Sequence, residues 1–167
     1  GFSNLMNTDI ELSKEERENF TELINTNSDL LLNLINDILD LSRIESGRMS
    51  FSFQQYSLNE LISTIYQTFQ VLMPENVELR MQIPEKSISI PTDKFRLTQV
   101  ITNFLSNAIK FTQKGYILIG YEYREEGRHV HIFVEDTGIG IPKEKQDAVF
   151  NRFTKLDEFA KGTGLGL

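Results

Sequence analysis

Between Ser13 and Ser46, Phe20, Ile24, Asn27, Leu31, Leu34, Ile38 and Leu41 follow one another at alternating intervals of three and four residues. With one polar residue in the series, this is the seam of a long amphipathic helix. Leu23, Leu30 and Ile35 widen the seam beyond what a two-stranded coil requires, so a four-helix bundle is expected. Ser13, followed three residues later by Glu16, forms a capping box at the start. Gly47 marks the end. Residues 1–10 are too short to supply the partner helix, and Gly1-Phe2-Ser3-Asn4-Leu5-Met6 reads as the tail of another helix. Two antiparallel helices per chain, doubled in a dimer, would complete the bundle. Asn27 is either a register-setting polar residue or a residue at the bundle edge.

After Gly47 the period changes. Met49 to Gln55 alternates, with Phe51 and Phe53 on one side of an expected strand. Leu58 to Met73 returns to helical spacing. Val77, Leu79, Met81 and Ile83 alternate again, and Ile88 and Ile90 make a short strand before Pro91. Asp93 to Phe111 is a strong helix. Tyr116 to Tyr123 and Val130 to Glu135 read as strands joined by a turn at Glu125-Glu126-Gly127. Lys143 to Phe153 is a short helix opened by Pro142, and the Gly-rich stretch from Asp157 to Leu167 reads as a mobile tail. Helices and strands mixed in this order, with a hairpin, give an α+β class with helices on one face of a mixed sheet.

Composition narrows the functions. The 167 residues are 40% hydrophobic and 25% charged, as a globular chain requires. The 17 basic and 24 acidic residues leave a net charge of −7, which argues against nucleic acid as a partner. With no cysteine, thiolate metal sites, disulfides and cysteine nucleophiles are excluded. No apolar run approaches the roughly 20 residues of a membrane span, and no signal peptide opens the sequence.

Four segments carry chemistry. On the helix 93–111, Arg96, Gln99, Asn103, Asn107 and Lys110 fall within an arc of about 80° at roughly 100° per residue. A solvated face is the ordinary reading of such a stripe. Two amides and a terminal lysine also suit a groove where amide oxygens meet Mg²⁺ and a lysine meets phosphate. Asp136-Thr137-Gly138-Ile139-Gly140 directly follows a strand. There a carboxylate can accept from an exocyclic amine while the glycines let backbone approach a flat ring. Asp-Thr-Gly also opens the active-site loop of aspartic proteases, but Ile139 stands where those enzymes prefer a small or hydroxyl residue. Phe150-Asn151-Arg152-Phe153 reads as an amphipathic helix end whose basic residue can reach an anion. Gly162-Thr163-Gly164-Leu165-Gly166 offers backbone N–H groups to phosphate, without the spacing of a Walker loop or a dinucleotide fingerprint.

In this order, Asn103–Asn107–Lys110 resembles the N box, Asp136–Gly140 the G1 box, Phe150–Phe153 the F box and Gly162–Gly166 the G2 box of sensor histidine kinases. Leu34-Ile35-Asn36-Asp37-Ile38-Leu39-Asp40-Leu41-Ser42-Arg43-Ile44-Glu45-Ser46-Gly47 resembles the end of the second helix of their dimerisation domain. The helix and linker are most similar to those of hybrid-type bacterial kinases. The resemblance implies a Bergerat-type ATP-binding α/β sandwich preceded by a long helix of a dimeric four-helix bundle. Residues 1–47 would be a partial dimerisation and phosphotransfer domain, and 48–167 an ATP-binding catalytic domain incomplete at its C-terminus.

The resemblance implies roles residue by residue. Asp136 would bind the adenine amino group, with Gly138 and Gly140 shaping the pocket. Asn103 and Asn107 would hold Mg²⁺ and the phosphates, and Lys110 would contact a phosphate. Gly162, Gly164 and Gly166 would form a lid, and Arg152 would approach the phosphates. Related gyrase-type and Hsp90-type ATPases carry a Glu where Asn103 stands. An amide cannot activate water as a general base, so Asn103 favours delivery of phosphate to another nucleophile. The implied function is an ATP-dependent protein-histidine kinase. Its implied partners are a second copy, through the 13–46 helix, and a response-regulator receiver domain.

The family's acceptor motif, His-Glu/Asp-x-Arg-Thr-Pro, is absent. His129 and His131 alternate on a strand, so the 167 residues alone are not expected to phosphorylate themselves. A non-catalytic dimerising module and an ATPase of the same superfamily are the alternatives. The chain is expected to work in the cytoplasm, any anchor in the bacterial inner membrane belonging to other parts of the parent protein.

Overall fold

The structure, a computed structural model, describes residues 13–124 and 129–146. The chain divides into two compact units between Met49 and Ser50.

The first unit contains α1 (Lys14–Glu45). Ser13 Oγ accepts from Glu16 N at 3.2 Å, and Ser13 N donates to Glu16 Oε2 at 2.9 Å. Both halves of the capping box are therefore made. The bond from the Ser13 backbone, then that from its hydroxyl, holds the Glu16 carboxyl below its ordinary value. At the other end Arg48 N donates to Arg43 O at 2.9 Å while Gly47 turns the chain at φ 63°, a six-to-one closure that suits glycine. No residue of α1 is buried, and Leu31 and Ile38 are 57% and 47% exposed. A helix with so apolar a stripe requires a partner surface. Asn27 is exposed, and its Nδ2 donates to Leu23 O at 2.7 Å within its own helix.

The second unit runs β1 (Gln54–Ser57), α2 (Leu58–Gln70), β2 (Val77–Gln82), β3 (Ser89–Thr92), α3 (Lys94–Phe111), β4 (Gly115–Arg124), β5 (His129–Asp136) and α4 (Lys143–Gln146). Apolar residues at helical spacing on α2 (Leu58, Leu61, Ile62, Ile65, Phe69) are all buried. They meet Ile101, Leu105 and Ala108 of α3, and Ile117, Ile119 and Tyr121, which alternate along β4. Each such large side chain, fully buried, contributes about 1.5–3 kcal/mol. The sheet order is β2-β4-β5, with β2 parallel and β5 antiparallel to β4. The parallel pair encloses β3 and α3 between its strands, and this long connection is what places α3 against the sheet. Tyr121 OH donates to Asn59 Oδ1, and Asn59 Nδ2 donates to Pro84 O at 3.1 Å, tying α2 to the sheet and to the loop after β2.

Three sequence expectations change. First, the strand expected over Met49 to Gln55 begins only at Gln54. Phe51 and Phe53 lie outside it, 52% and 67% exposed. The reason is Asp93, whose Oδ2 takes Ser52 N at 2.9 Å, so the ladder ends at the Gln54–Thr92 pair. Second, β3 continues through Pro91, opposite Gln55, instead of stopping before it; a two-stranded edge tolerates the missing N–H. Third, β1 and β3 form their own two-stranded sheet apart from the mixed one. The turn at 125–127, and the expected helix and tail beyond Gln146, lie outside the described residues.

Candidate functional site

The site begins with the way α3 is set down. Asp93 caps the helix, its Oδ1 accepting from Arg96 N at 3.1 Å. The backbone bond from Ser52, then that from Arg96, holds the Asp93 carboxyl below its ordinary value. Burial of Ile101, Leu105 and Ala108 against the sheet fixes the rotation of the helix. Asn103 and Asn107, one turn apart, are therefore half-buried at the margin between core and solvent. Neither side-chain amide makes a hydrogen bond among the described residues. Lys110 is exposed, its Nζ 4.9 Å from the centroid of the Phe111 ring. Of the remaining stripe, Arg96 Nη1 donates to Gln99 Oε1 at 2.9 Å.

The second component is the loop after β5. Asp136 is the last strand residue, opposite Ile117. Its Oδ1 accepts from Gly138 N at 2.8 Å, while Oδ2 has no partner among the described residues. Ile139 N donates to Phe111 O at 3.2 Å. Gly138 lies so close to the Phe111 carbonyl that a side chain there would overlap it. The loop is thus docked on the C-terminal end of α3, beside Lys110 and one turn from Asn107. Asn103 follows one turn further along the same helix face. Gly140 turns the loop at φ 66°, and Ile139 and Ile141 beyond Asp136 are 75% and 41% exposed.

This arrangement can receive a polar, flat, anionic molecule. The free carboxylate oxygen suits an amine donor, and the exposed isoleucines suit a ring. Two amides and a lysine along the helix suit oxygen-rich groups. Mg²⁺ takes oxygen ligands and keeps several waters when phosphates share its coordination, so the amide oxygens of Asn103 and Asn107 fit such an ion. Among the described residues no group of three or more His, Cys, Asp or Glu gathers to hold a metal by itself. His131 Nδ1 lies 3.2 Å from Glu122 Oε1 on the sheet surface, away from the loop. Arg152, Gly162, Gly164 and Gly166 lie outside the described residues.

Sequence reasoning passed over what holds the loop. Thr137 Oγ1 accepts from Tyr116 N at 2.9 Å and donates to Tyr116 O at 3.2 Å, and Thr137 N donates to the same carbonyl at 3.2 Å. Gly115 at φ 124° gives way to that hydroxyl, which a Cβ at this position would strike. The only signal in the sequence was a glycine between a helix and a strand.

Residues 92–167 match the family described as histidine kinase-, DNA gyrase B-, and HSP90-like ATPase, and residues 1–47 match the His Kinase A (phospho-acceptor) domain. The hybrid signal transduction histidine kinase A of Dictyostelium discoideum is 35% identical over all of this chain, which spans 8% of that protein. Among solved structures, full-length ShkA in complex with AMPPNP superposes with a TM-score of 0.78 at 28% identity, covering 95% of this chain and 33% of that one. The catalytic domain of the histidine kinase ThkA, nucleotide-free, superposes with a TM-score of 0.59 at 30% identity, covering 70% of this chain and 77% of that one.

Proposed function

We propose that this chain, which belongs to the sensor histidine kinase family of two-component signalling, binds Mg-ATP between α3 and the 136–140 loop and directs its γ-phosphoryl group to a histidine outside these 167 residues. Residues 1–47 are assigned to the dimerisation and phosphotransfer part and 48–167 to the ATP-binding part. Asp136 Oδ2 accepts from the adenine amino group, and Gly138 and Gly140 leave room for the ring. Asn103 and Asn107 would hold Mg²⁺ and the phosphates through their amide oxygens, and Lys110 would meet a phosphate oxygen as a point charge. Arg152 and the glycines 162, 164 and 166 belong to the same site by their place in the family pattern. Mg²⁺, when bound, would supply charge neutralisation. Phosphoryl transfer otherwise needs positioning more than covalent chemistry from the protein. Asn103 offers no base for water, so the reaction favours a protein nucleophile.

The observation that carries this reading is the docking of the Asp136 loop on the very end of the helix whose two amides lack partners among the described residues. The apolar stripe of α1 supports a homodimer, and the phospho-acceptor match supports a response-regulator receiver domain as the onward acceptor. Among the described residues no helix is long and apolar enough to cross a membrane; work in the cytoplasm, where ATP is available, is part of the proposal.

Calorimetric titration with a non-hydrolysable ATP analogue and with adenosine, each with and without Mg²⁺, tests it. Asp136→Asn replaces an acceptor by a group that also presents donors, and should weaken both ligands by about tenfold or more, the scale of one lost hydrogen bond to a charged group. Lys110→Ala should weaken the ATP analogue and spare adenosine. Equal losses for the two ligands in Lys110→Ala, or unchanged affinity in Asp136→Asn, would refute the assignment.

A further inference from the structure

We infer that Thr137 is a positioning residue whose hydroxyl, bonded in both directions to the Tyr116 peptide, sets the direction in which Asp136 presents its free carboxylate oxygen. The inference deepens the ATP-binding reading and rests on it. Asp136 ends β5, where the regular ladder to β4 stops at its pairing with Ile117. A strand end ordinarily frays. Here the ladder is prolonged by one residue through a side chain. Thr137 Oγ1 takes Tyr116 N at 2.9 Å and gives its own proton to Tyr116 O at 3.2 Å. The Thr137 N–H, which also donates to Tyr116 O at 3.2 Å, keeps the ladder's donor, and the hydroxyl supplies the acceptor for Tyr116 N in place of a strand carbonyl.

Two further contacts make this a clamp. Ile139 N donates to Phe111 O at 3.2 Å, and Gly138 N donates to Asp136 Oδ1 at 2.8 Å. The residues that follow Asp136 are therefore tied, through Thr137 and Ile139, to the segment 111–116, where α3 passes into β4. Because Oδ1 is committed to Gly138, the carboxylate can rotate little, and Oδ2 is the oxygen without a partner among the described residues. Remove the hydroxyl and Asp136 keeps its charge and its Gly138 bond, but the strand end that aims it is released. A residue that acts this way affects recognition of the amine-bearing ring and leaves the phosphate end alone. Serine suffices for the role, because the hydroxyl, not the methyl group, makes both bonds.

The test compares Thr137→Val, isosteric without the hydroxyl, with Thr137→Ser in the full chain. Affinities for adenosine and for a non-hydrolysable ATP analogue are measured by calorimetry, and amide exchange of Tyr116, Gly138 and Ile139 is followed by NMR without nucleotide. Thr137→Val should raise both dissociation constants by the same factor, about tenfold, as for one lost hydrogen bond. It should also speed exchange at Tyr116 and Ile139. Thr137→Ser should stay within about twofold of the parent on both measures. Parent-like affinity in Thr137→Val, or an equal loss in Thr137→Ser, overturns the inference while leaving the ATP-binding reading intact. A parent protein that binds neither ligand overturns both. Should Thr137→Val fail to fold, the parent decides: rapid exchange at Tyr116 N–H would show that the hydroxyl does not extend the ladder.

Discussion

Thr112, 2% exposed, buries its hydroxyl with no hydrogen-bond partner among the described residues. A buried donor left unsatisfied costs about 1–3 kcal/mol, whereas an apolar group of the same shape carries no such penalty. Thr112 caps the C-terminus of α3 in an extended conformation that a β-branched residue accepts readily. Thr112→Val should therefore raise the unfolding free energy by about 1 kcal/mol, read as a higher urea midpoint at unchanged slope. At this scale the sequence was a good guide to position: an aspartate at a strand end, and two amides one turn apart on a helix. It said nothing of Thr137 and Gly115. Their roles arise from a meeting between segments 21 residues apart, and neither residue type announces a partner. Nor could it tell that Asp136 would have one oxygen taken by its own loop.

Among the elements, α1 and α3 were legible because their apolar residues keep helical spacing over many turns and each starts with a capping side chain. The stretch at Phe51 and Phe53 misled, since alternation predicts a strand only where a neighbour continues the ladder. Asp93 removes that neighbour by beginning α3 and taking Ser52 N for itself. This double duty has a pH consequence. The two backbone bonds depress the carboxyl of Asp93 in the folded chain. Its contribution to stability is present in full above the unfolded value, about 3.9, and is lost as pH falls through the lower folded value. NMR titration of the Asp93 carboxyl should give a midpoint below 3.9, and Ser52 N–H should lose exchange protection over the same range. In Asp93→Asn that acid transition at Ser52 should be absent. Within the packed layer, Leu105→Ala should cost about 2–5 kcal/mol, because Leu105 is completely buried and leaves a cavity behind.

For the molecule as a whole, the two units differ in how they satisfy their apolar surface. The second unit closes a core of its own, while α1 leaves Leu31, Ile38 and their neighbours uncovered. Self-association through α1 should make the thermal midpoint rise with protein concentration. Ile38→Asp, which sets like charges against each other across a symmetric interface, should weaken the dimer by about a hundredfold or more in sedimentation equilibrium. The α+β class and the mixed sheet followed from periodicity. The separate β1–β3 pair did not, because nothing local in a sequence records which strand finds which.

The parallel pairing of β2 with β4 has a kinetic corollary. All of α3 lies inside the loop that this pairing closes, so the helix cannot take its final seat until two distant stretches of backbone have met. Closure of so long a loop is entropically slow. During refolding, competence to capture a nucleotide should appear late and in a single phase together with the sheet, and a fluorescent ATP analogue would serve as a clock for the last step of assembly.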